Sequence, residues 1–154
     1  MMRITPLLLF VAAAISGCSL SPHAPSGSST QFAAGYQNLL CKSVAIAEPA
    51  VTGSAHSTGW AGSPRSSFTQ LFMRLGYKVE AMEPSIFDTE SVCVVNSTIV
   101  GQGANILVTV SIEDPMLDEI IYTANISVRD AWNGVNQDEL WSAIENALRP
   151  DLAR

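Results

Sequence analysis

The chain has few charged residues, and basic ones are the scarcest of these. Its 154 residues include 14 Asp and Glu against 8 Lys and Arg. Of the acidic residues, 13 lie from Glu80 onward, where the only basic residues are Arg129, Arg149 and Arg154. Such a chain offers no basic stripe that displaces counterions from DNA or RNA. We therefore expect no nucleic-acid partner, and an acidic surface that either keeps the domain soluble or meets a basic partner.

Residues with catalytic or metal-binding chemistry are also scarce. The only histidines are His23 and His56, and the sequence has neither a CxxC pair nor a glycine-rich phosphate loop. The acidic pairs Glu113-Asp114 and Asp118-Glu119 flank a proline in a turn between two predicted strands. A turn tip lacks the buried pocket that acid–base catalysis by paired carboxyl groups requires. We therefore predict no catalytic residues, no metal and no cofactor, and expect that the chain is not an enzyme.

No apolar run in the chain reaches the length of about 20 residues that a transmembrane helix needs. The longest run extends from Pro6 to Ile15, after the basic Arg3 and before the small residues Ser16 and Gly17. A basic start, a short apolar segment and small residues are typical of a secretory signal peptide. The sequence therefore predicts export of the chain.

The end of this segment resembles a lipobox, the signal that bacterial lipoprotein signal peptidase recognises, in the run Ile15-Ser16-Gly17-Cys18. The resemblance implies cleavage before Cys18, a diacylglyceryl thioether on its sulfur, and a new amino terminus that usually carries a further acyl chain such as palmitate. Position 19 is Ser rather than the Asp that typically retains such proteins in the inner membrane. The resemblance, together with Ser19, thus implies a lipid-anchored protein on the periplasmic face of the outer membrane. The alternative is an ordinary signal peptide that is cut near Ser16.

The chain then divides into three parts. We predict a signal peptide over 1–17, the lipidated Cys18 with a flexible Ser/Pro-rich tether over 18–30, and a single globular domain over 31–154. Removal of the signal peptide leaves 137 residues, which is the length of one ordinary domain.

Apolar periodicity predicts a two-layer α+β domain, with a mixed sheet of four to five strands and two to three helices packed on it. The strongest helix signal starts with Ser63 and Pro64 and stops at Gly76. Alternation also places Ile120 and Tyr122 on one core-facing side of the last strand. The predicted helices cover 31–40, 63–76 and the segment from Asn136 to Pro150, and the predicted strands cover 42–47, 77–82, 91–100, 106–112 and 120–129.

Four residues of the predicted domain are candidate site residues. Cys41 and Cys93 either form a disulfide in the oxidising periplasm or stay as two buried thiols. Trp60 and Trp132 lie in turn-rich segments and are candidate interface residues, the alternative being that each covers an edge of the core. A cleft near the 48–62 loop, with Trp60 and His56, leaves open a small-ligand or glycan-binding protein or a hydrolase.

Two family resemblances point to an envelope role. The run Ser66–Val79, with the later strands at Ile106–Val110 and Ile121-Tyr122, resembles TrbH-type conjugal transfer lipoproteins. The strand Lys42–Ala47 and the segment Val94–Gly101 look like small outer-membrane lipoproteins with a TolB amino-terminal or curli-exporter-like domain.

Both resemblances imply a non-enzymatic, periplasm-facing docking or assembly component of an envelope machine for secretion, conjugation or envelope biogenesis. The implied partners are the membrane through the lipid anchor, other envelope proteins, and copies of the chain itself.

Overall fold

The computed structural model describes residues 27–53, 62–83, 91–102, 105–129 and 137–154. These ranges form seven strands and two helices, so the fold is α+β with a mixed sheet, as predicted, and with more strands than the four to five expected. The elements are β1 (Gly27–Phe32), β2 (Ser43–Ile46), β3 (Ala50–Gly53), α1 (Pro64–Arg74), β4 (Lys78–Glu80), β5 (Val92–Gln102), β6 (Asn105–Asp114), β7 (Glu119–Arg129) and α2 (Gln137–Leu152).

The sheet has the strand order β1-β7-β6-β5-β2-β4, and β3 pairs with β5 beyond the end of β2. The strands β5, β6, β7 and β1 are antiparallel, whereas β2 lies parallel to both β4 and β5. The strands β5, β6 and β7 thus form an antiparallel meander, and β2, which precedes β3 and α1, lies parallel to β4, which follows α1. The last residue of β3 must be glycine, because Gly53 has a φ of 67° and a Cβ there would lie 2.2 Å from the carbonyl oxygen of Gly101.

A β-bulge in β7 changes which of its residues face the core, so one predicted core residue is wrong. Ile112 pairs with Tyr122 and Glu113 pairs with Ile120, so Ile121 is an extra residue in β7. The extra residue reverses the alternation at the start of the strand. Ile121 is consequently buried beside Tyr122, and Ile120, which was predicted to face the core, is 53% exposed.

The helix α1 forms where the sequence predicts it. Pro64 occupies the first turn, and Gly76 follows the carboxyl end with a φ of 98°. The N–H of Tyr77 donates to the Phe72 carbonyl at 3.0 Å and that of Gly76 donates to the Met73 carbonyl at 3.1 Å, which is the Schellman arrangement. This tight stop sends the chain directly into β4.

The helix α2 extends further than predicted, because Pro150 lies inside it and not at its end. Proline removes one hydrogen bond from a helix interior. Two contacts of the last turn offset this cost: Leu152 is 1% exposed, and Asp151 accepts a hydrogen bond from the Tyr122 hydroxyl at 3.2 Å. The prediction that Pro150 ends the helix is therefore wrong.

The segment before β2 also differs from the prediction. Residues 27–32 form β1, which pairs antiparallel with β7, so the tether predicted to run to residue 30 ends at least four residues earlier. The helix predicted over 31–40 is absent from this described segment, which is strand followed by turn. Phe32 packs instead on Tyr122, with ring centroids 4.9 Å apart, and this contact with a strand 90 positions away overrides the local helical spacing.

The larger of two hydrophobic clusters in the described residues lies between the helices and one face of the sheet, which we call the inner face. The smaller cluster contains Ala45, Val92 and Val94, which alternate with inner-face residues of β2 and β5. From α1 the larger cluster takes Phe68, Leu71 and Phe72, and from α2 Leu140, Ile144, Leu148 and Leu152. The sheet contributes alternating residues of β5, β6 and β7, including Val95, Ile99, Val108, Val110, Ile112, Ala124 and Ile126. The opposite side of the sheet, the outer face, is therefore the side turned away from the helices.

Candidate interaction surface

The structure reports on only part of the predicted site. Cys18, Trp60, Trp132 and both histidines, His23 and His56, lie outside the described residues. Their assigned roles therefore stay predictions.

Cys41 and Cys93 are joined by a disulfide, with their Cα atoms 5.6 Å apart. Both side chains are buried, and the bond ties the segment before β2 to the beginning of β5. Of the two alternatives that the sequence left open, the structure contains the bonded one. Its position in the core makes it a structural crosslink, because neither sulfur is accessible to a substrate.

Arg154 contacts the segment that contains Cys41, near the β2 and β4 side of the sheet. The Arg154 guanidinium donates to the backbone carbonyls of Leu39 and Cys41, and it lies 4.3 Å from the centroid of the Tyr77 ring. The backbone N–H of Arg154 donates to the Leu75 carbonyl at 3.0 Å. We call this set of contacts the Arg154 clamp. It satisfies backbone groups that the neighbouring elements leave unpaired.

The outer face of β1, β7, β6 and β5 carries no charged residue in its central rows. Its side chains are exposed or half-buried, and most are hydroxyl or amide groups. Thr109 and Asn125 are joined across neighbouring strands by a hydrogen bond of 3.1 Å. The residues of these rows are Ser29, Gln31, Asn96, Thr98, Val100, Leu107, Thr109, Ser111, Thr123, Asn125 and Ser127.

Grooves in the described part of the chain are shallow and open. One of about 300 Å³ lies on the outer face between β1 and β6. Another, of about 370 Å³, lies between α1 and α2, with Arg74, Trp141 and Glu145 among its lining residues. Enclosed ligand sites usually bury most of a small molecule. Both of these grooves are open to solvent and would leave much of a small molecule exposed.

The second groove is lined by an ion-pair network. Glu145 accepts a hydrogen bond from Arg74 at 2.9 Å and another from Arg149. The hydrogen bond from Arg74, and then that from Arg149, lower the pKa of the Glu145 carboxyl below its ordinary value. This carboxylate therefore links the two helices as an ion and is not poised to donate a proton.

Two tyrosines near the β1 side of the sheet have raised pKa values. Burial is the main cause for Tyr122, and the charge of Asp151 acts in the same direction. For Tyr36 the main cause is the hydrogen bond that its hydroxyl donates to Glu119, at 3.0 Å. Both phenols therefore stay neutral and act as hydrogen-bond donors that fix β7 to its neighbours.

The turn between β6 and β7 presents apolar side chains to solvent. Met116, Leu117 and Ile120 are 53%, 61% and 53% exposed. Asp114 orders the turn by accepting a hydrogen bond from the Met116 N–H at 2.9 Å, and Asp118 adopts a left-handed φ of 52°. Sequence reasoning treated this segment only as an acidic turn and missed its apolar tip.

The strands β1 and β4, which lie at the two ends of the strand order, differ in length and charge. The strand β1 is six residues long and carries no charge, whereas β4 is three residues long and contains Lys78 and Glu80, whose side chains pair at 2.8 Å. Sequence reasoning also missed β1 as an edge, because Ser-rich segments are usual in tethers. The one available signal was the alternation that ends in Phe32.

The described residues contain neither a metal-binding cluster nor a membrane-spanning helix. Among them, no three His, Cys, Asp or Glu side chains are grouped so as to hold a metal ion. Neither α1 nor α2 combines the length and the apolar character that a membrane-crossing helix needs.

The chain matches no family model, and no curated protein matches it by sequence. Its fold is similar to that of PelC from Paraburkholderia phytofirmans, solved as a dodecamer, in two crystal forms. A single-substitution variant of PelC gives a TM-score of 0.59 at 15% identity over 83% of this chain and 100% of that one. The other crystal form gives a TM-score of 0.57 at 14% identity over 83% and 99%.

The fold is also similar to that of the lipoprotein GNA1162 from Neisseria meningitidis, with a TM-score of 0.50 at 16% identity over 72% of this chain and 99% of that one. At these identities the similarity establishes a shared fold, which is one that a bacterial lipoprotein adopts.

Proposed function

We propose that this chain is an outer-membrane lipoprotein that faces the periplasm and acts as a non-enzymatic docking and assembly component of a cell-envelope machine. The observation that carries the proposal is the fold similarity to PelC, which covers 83% of this chain and the whole of that one. The lipobox resemblance at Cys18 supports the anchor, and so does the similarity of the fold to that of the lipoprotein GNA1162.

Self-association is part of the proposal. PelC was solved as a dodecamer in two crystal forms, so this fold supports assembly from identical copies in at least one protein. The lipid on Cys18 would confine all copies to one membrane surface, which raises their effective concentration. Anchored copies can then assemble through contacts too weak to hold free domains together.

The described surface is suited to docking. The uncharged central rows of the outer face and the exposed tip residues Met116 and Leu117 are areas where a partner displaces water without burying an unpaired charge. The acidic residues near the tip, Asp114 and Asp118, would form its polar rim and favour a basic partner. Secretion, conjugation and envelope-biogenesis machines are the classes in which such a component would serve.

Crosslinking in the native envelope, followed by mass spectrometry of the captured proteins, tests the proposal. Wild type is compared with Cys18→Ala, which removes the anchor, and with Ser19→Asp, which keeps the lipid and redirects the protein to the inner membrane. We expect wild type to fractionate with the outer membrane and to capture itself and components of one envelope machine. Both variants should lose that machine.

Wild type that remains in the soluble periplasmic fraction would overturn the anchor. An anchored protein that captures neither itself nor an envelope component would overturn the docking role.

A further inference from the structure

We infer that the free edge of β1 is the surface through which two copies of this chain join, strand against strand, into one continuous sheet. The inference rests on the proposed function, because it names the contact by which the chain self-associates. It assigns an antiparallel β1–β1 pairing about a two-fold axis, which makes the contact isologous.

The backbone of β1 has unpaired groups along its outward side. The N–H of Ala33 donates to the Ile121 carbonyl at 3.0 Å, and antiparallel strands alternate the direction of these groups. Gly27, Ser29 and Gln31 therefore direct their backbone groups toward β7, while Ser28, Thr30 and Phe32 direct theirs toward the free edge. No strand of the described residues pairs with that edge. An added strand would satisfy these donors and acceptors.

The β1 edge lacks the features that usually block strand addition. Natural edges are protected by short length, charged side chains, proline or a bulge. The strand β1 has six residues, contains neither charge nor proline, and pairs with β7 in unbroken register. At the other end of the strand order, β4 is short and carries Lys78 and Glu80, and β3, which pairs only with β5, has four residues. The sheet is thus protected against pairing at β4 and open to it at β1.

Alternation of side chains restricts how two β1 strands can pair. Ser29 and Gln31 belong to the outer face, whereas Ser28 and Thr30 belong to the inner face, opposite Ile126 and Ala124 of β7. Residues directly opposite each other must lie on the same face of a continuous sheet. The two central registers that meet this condition place Ser29 opposite its copy or Thr30 opposite its copy. Both registers also bring together the free backbone groups of the two edges.

Charge favours a second copy as the occupant of this edge. The full chain carries a formal charge of −6, so two copies repel each other over much of their surface. A β1–β1 contact brings only uncharged side chains together, and Ser, Thr and Gln can form hydrogen bonds across strands. The neutral edge is therefore where copies of an acidic chain approach each other without opposing like charges.

The predicted anchor is compatible with this arrangement. Nine residues, Cys18 to Ser26, precede β1, and a chain of that length reaches at most about 30 Å when fully extended. The two-fold axis of a flat antiparallel pair is perpendicular to the sheet, so both copies of Gly27 lie at the same level along this axis. When the axis is perpendicular to the membrane, both lipids can enter one bilayer.

A cysteine crosslink tests the contact directly. In mature lipidated protein, Ser29→Cys is treated with a short bis-maleimide. The matched control is Ser66→Cys, also an exposed serine, which lies in α1 and outside the sheet. The native Cys41–Cys93 pair is already bonded and does not react. We expect a covalent dimer from Ser29→Cys and none from Ser66→Cys. Absence of the Ser29→Cys dimer, or its crosslinking to another protein instead, overturns the inference.

A charge exchange at the same position gives an independent test. Ser29→Lys and Ser29→Glu each place like charges near each other across the two-fold axis, and we expect each to weaken self-association several-fold. Mixing the two variants should restore it, because opposite charges then meet. Ser29 is exposed, so the unfolding midpoint of both variants should match that of wild type.

Native mass spectrometry of wild type and Ser29→Lys separates the β1 contact from self-association in general. If wild type is oligomeric but Ser29→Lys leaves its assembly unchanged, the β1 contact is wrong and self-association stands. If the lipidated wild type is monomeric, both self-association and the β1 contact are wrong.

Discussion

At one end of the sheet β4 has three residues with two opposite charges, and at the other end β1 has six residues with none. The β4 side also contains the Cys41–Cys93 disulfide and the Arg154 clamp, which tie the chain terminus, β2 and β5 together. The β1 side depends on its pairing with β7 and on the contact of Phe32 with Tyr122. In the described residues, the covalent crosslink and the Arg154 clamp therefore stabilise the side where the strands are short and parallel, whereas the antiparallel side ends in an uncharged strand with one unpaired edge.

Of the changes considered, removal of the disulfide on the β4 side should lower the stability of the domain the most. The bond joins residues separated by 52 positions, and closing a loop of that size stabilises a fold by about 4 kcal/mol in the chain-entropy model. We expect Cys41→Ala/Cys93→Ala to lose free energy of unfolding of this order in urea denaturation. Reductant should lower the stability of wild type and leave the double variant unchanged. An equal response of both proteins to reductant would contradict the crosslink.

Proline at two neighbouring positions of β1 should separate its paired side from its free side. Ser29 directs its N–H toward β7, so Ser29→Pro should destabilise the domain by about 2 kcal/mol through the lost ladder bond. Ser28 directs its N–H toward the free edge, so Ser28→Pro should leave the unfolding midpoint nearly unchanged and weaken self-association about tenfold. Denaturation and sedimentation equilibrium measure the two effects. Equal destabilisation by both prolines would show that the assigned alternation is wrong.

The Arg154 clamp should contribute less than the disulfide on the same side. Arg154→Ala removes the hydrogen bonds to the Leu39 and Cys41 carbonyls and the contact with Tyr77, and we expect a loss of about 1–2 kcal/mol. Arg149→Ala is the matched control, since it removes only an exposed pair with Glu145, which is worth at most about 1 kcal/mol. Thermal unfolding ranks the two variants. A larger loss for Arg149→Ala would contradict the clamp.

The smallest expected effect concerns pH on the β1 side. Because burial raises the pKa of Tyr122, its phenol stays neutral in the folded state at a pH where the unfolded chain ionises it. Its stabilising contribution is complete below about pH 10 and is lost as the pH rises further. Tyr122→Phe removes the hydrogen bond to Asp151, so its free energy of unfolding at neutral pH should be lower by about 1 kcal/mol. Its stability should also fall less than that of wild type as the pH rises above about 10. Parallel pH profiles of the two proteins in urea denaturation would contradict this account.

Local signals predicted the parts of the fold that depend on neighbouring residues. Pro64 and Gly76 mark the two ends of α1, because the backbone preferences of proline and glycine act within one turn of a helix. The alternation in β7 likewise placed Tyr122 toward the core, where it is fully buried. These elements follow from short-range geometry that a single sequence displays.

Contacts between distant positions explain what could not be predicted. Phe32 and Tyr36 have helical spacing, but pairing with β7 decides their conformation. The bulge at Ile121 reverses the exposure of Ile120, and no residue type in the sequence marks it. Pro150 stays in α2 because Asp151 and Leu152 are bound by the sheet and the core. For the same reason the sequence left the pairing of Cys41 with Cys93 open.

Native mass spectrometry of the protein extracted from membranes tests the central claim most directly, because one spectrum reports the anchor and the assembly together. The account predicts subunits that begin at Cys18 and carry lipid, in complexes that contain an even number of copies. Subunits without lipid, or a lipidated protein that is monomeric or assembled only in odd numbers, would contradict it.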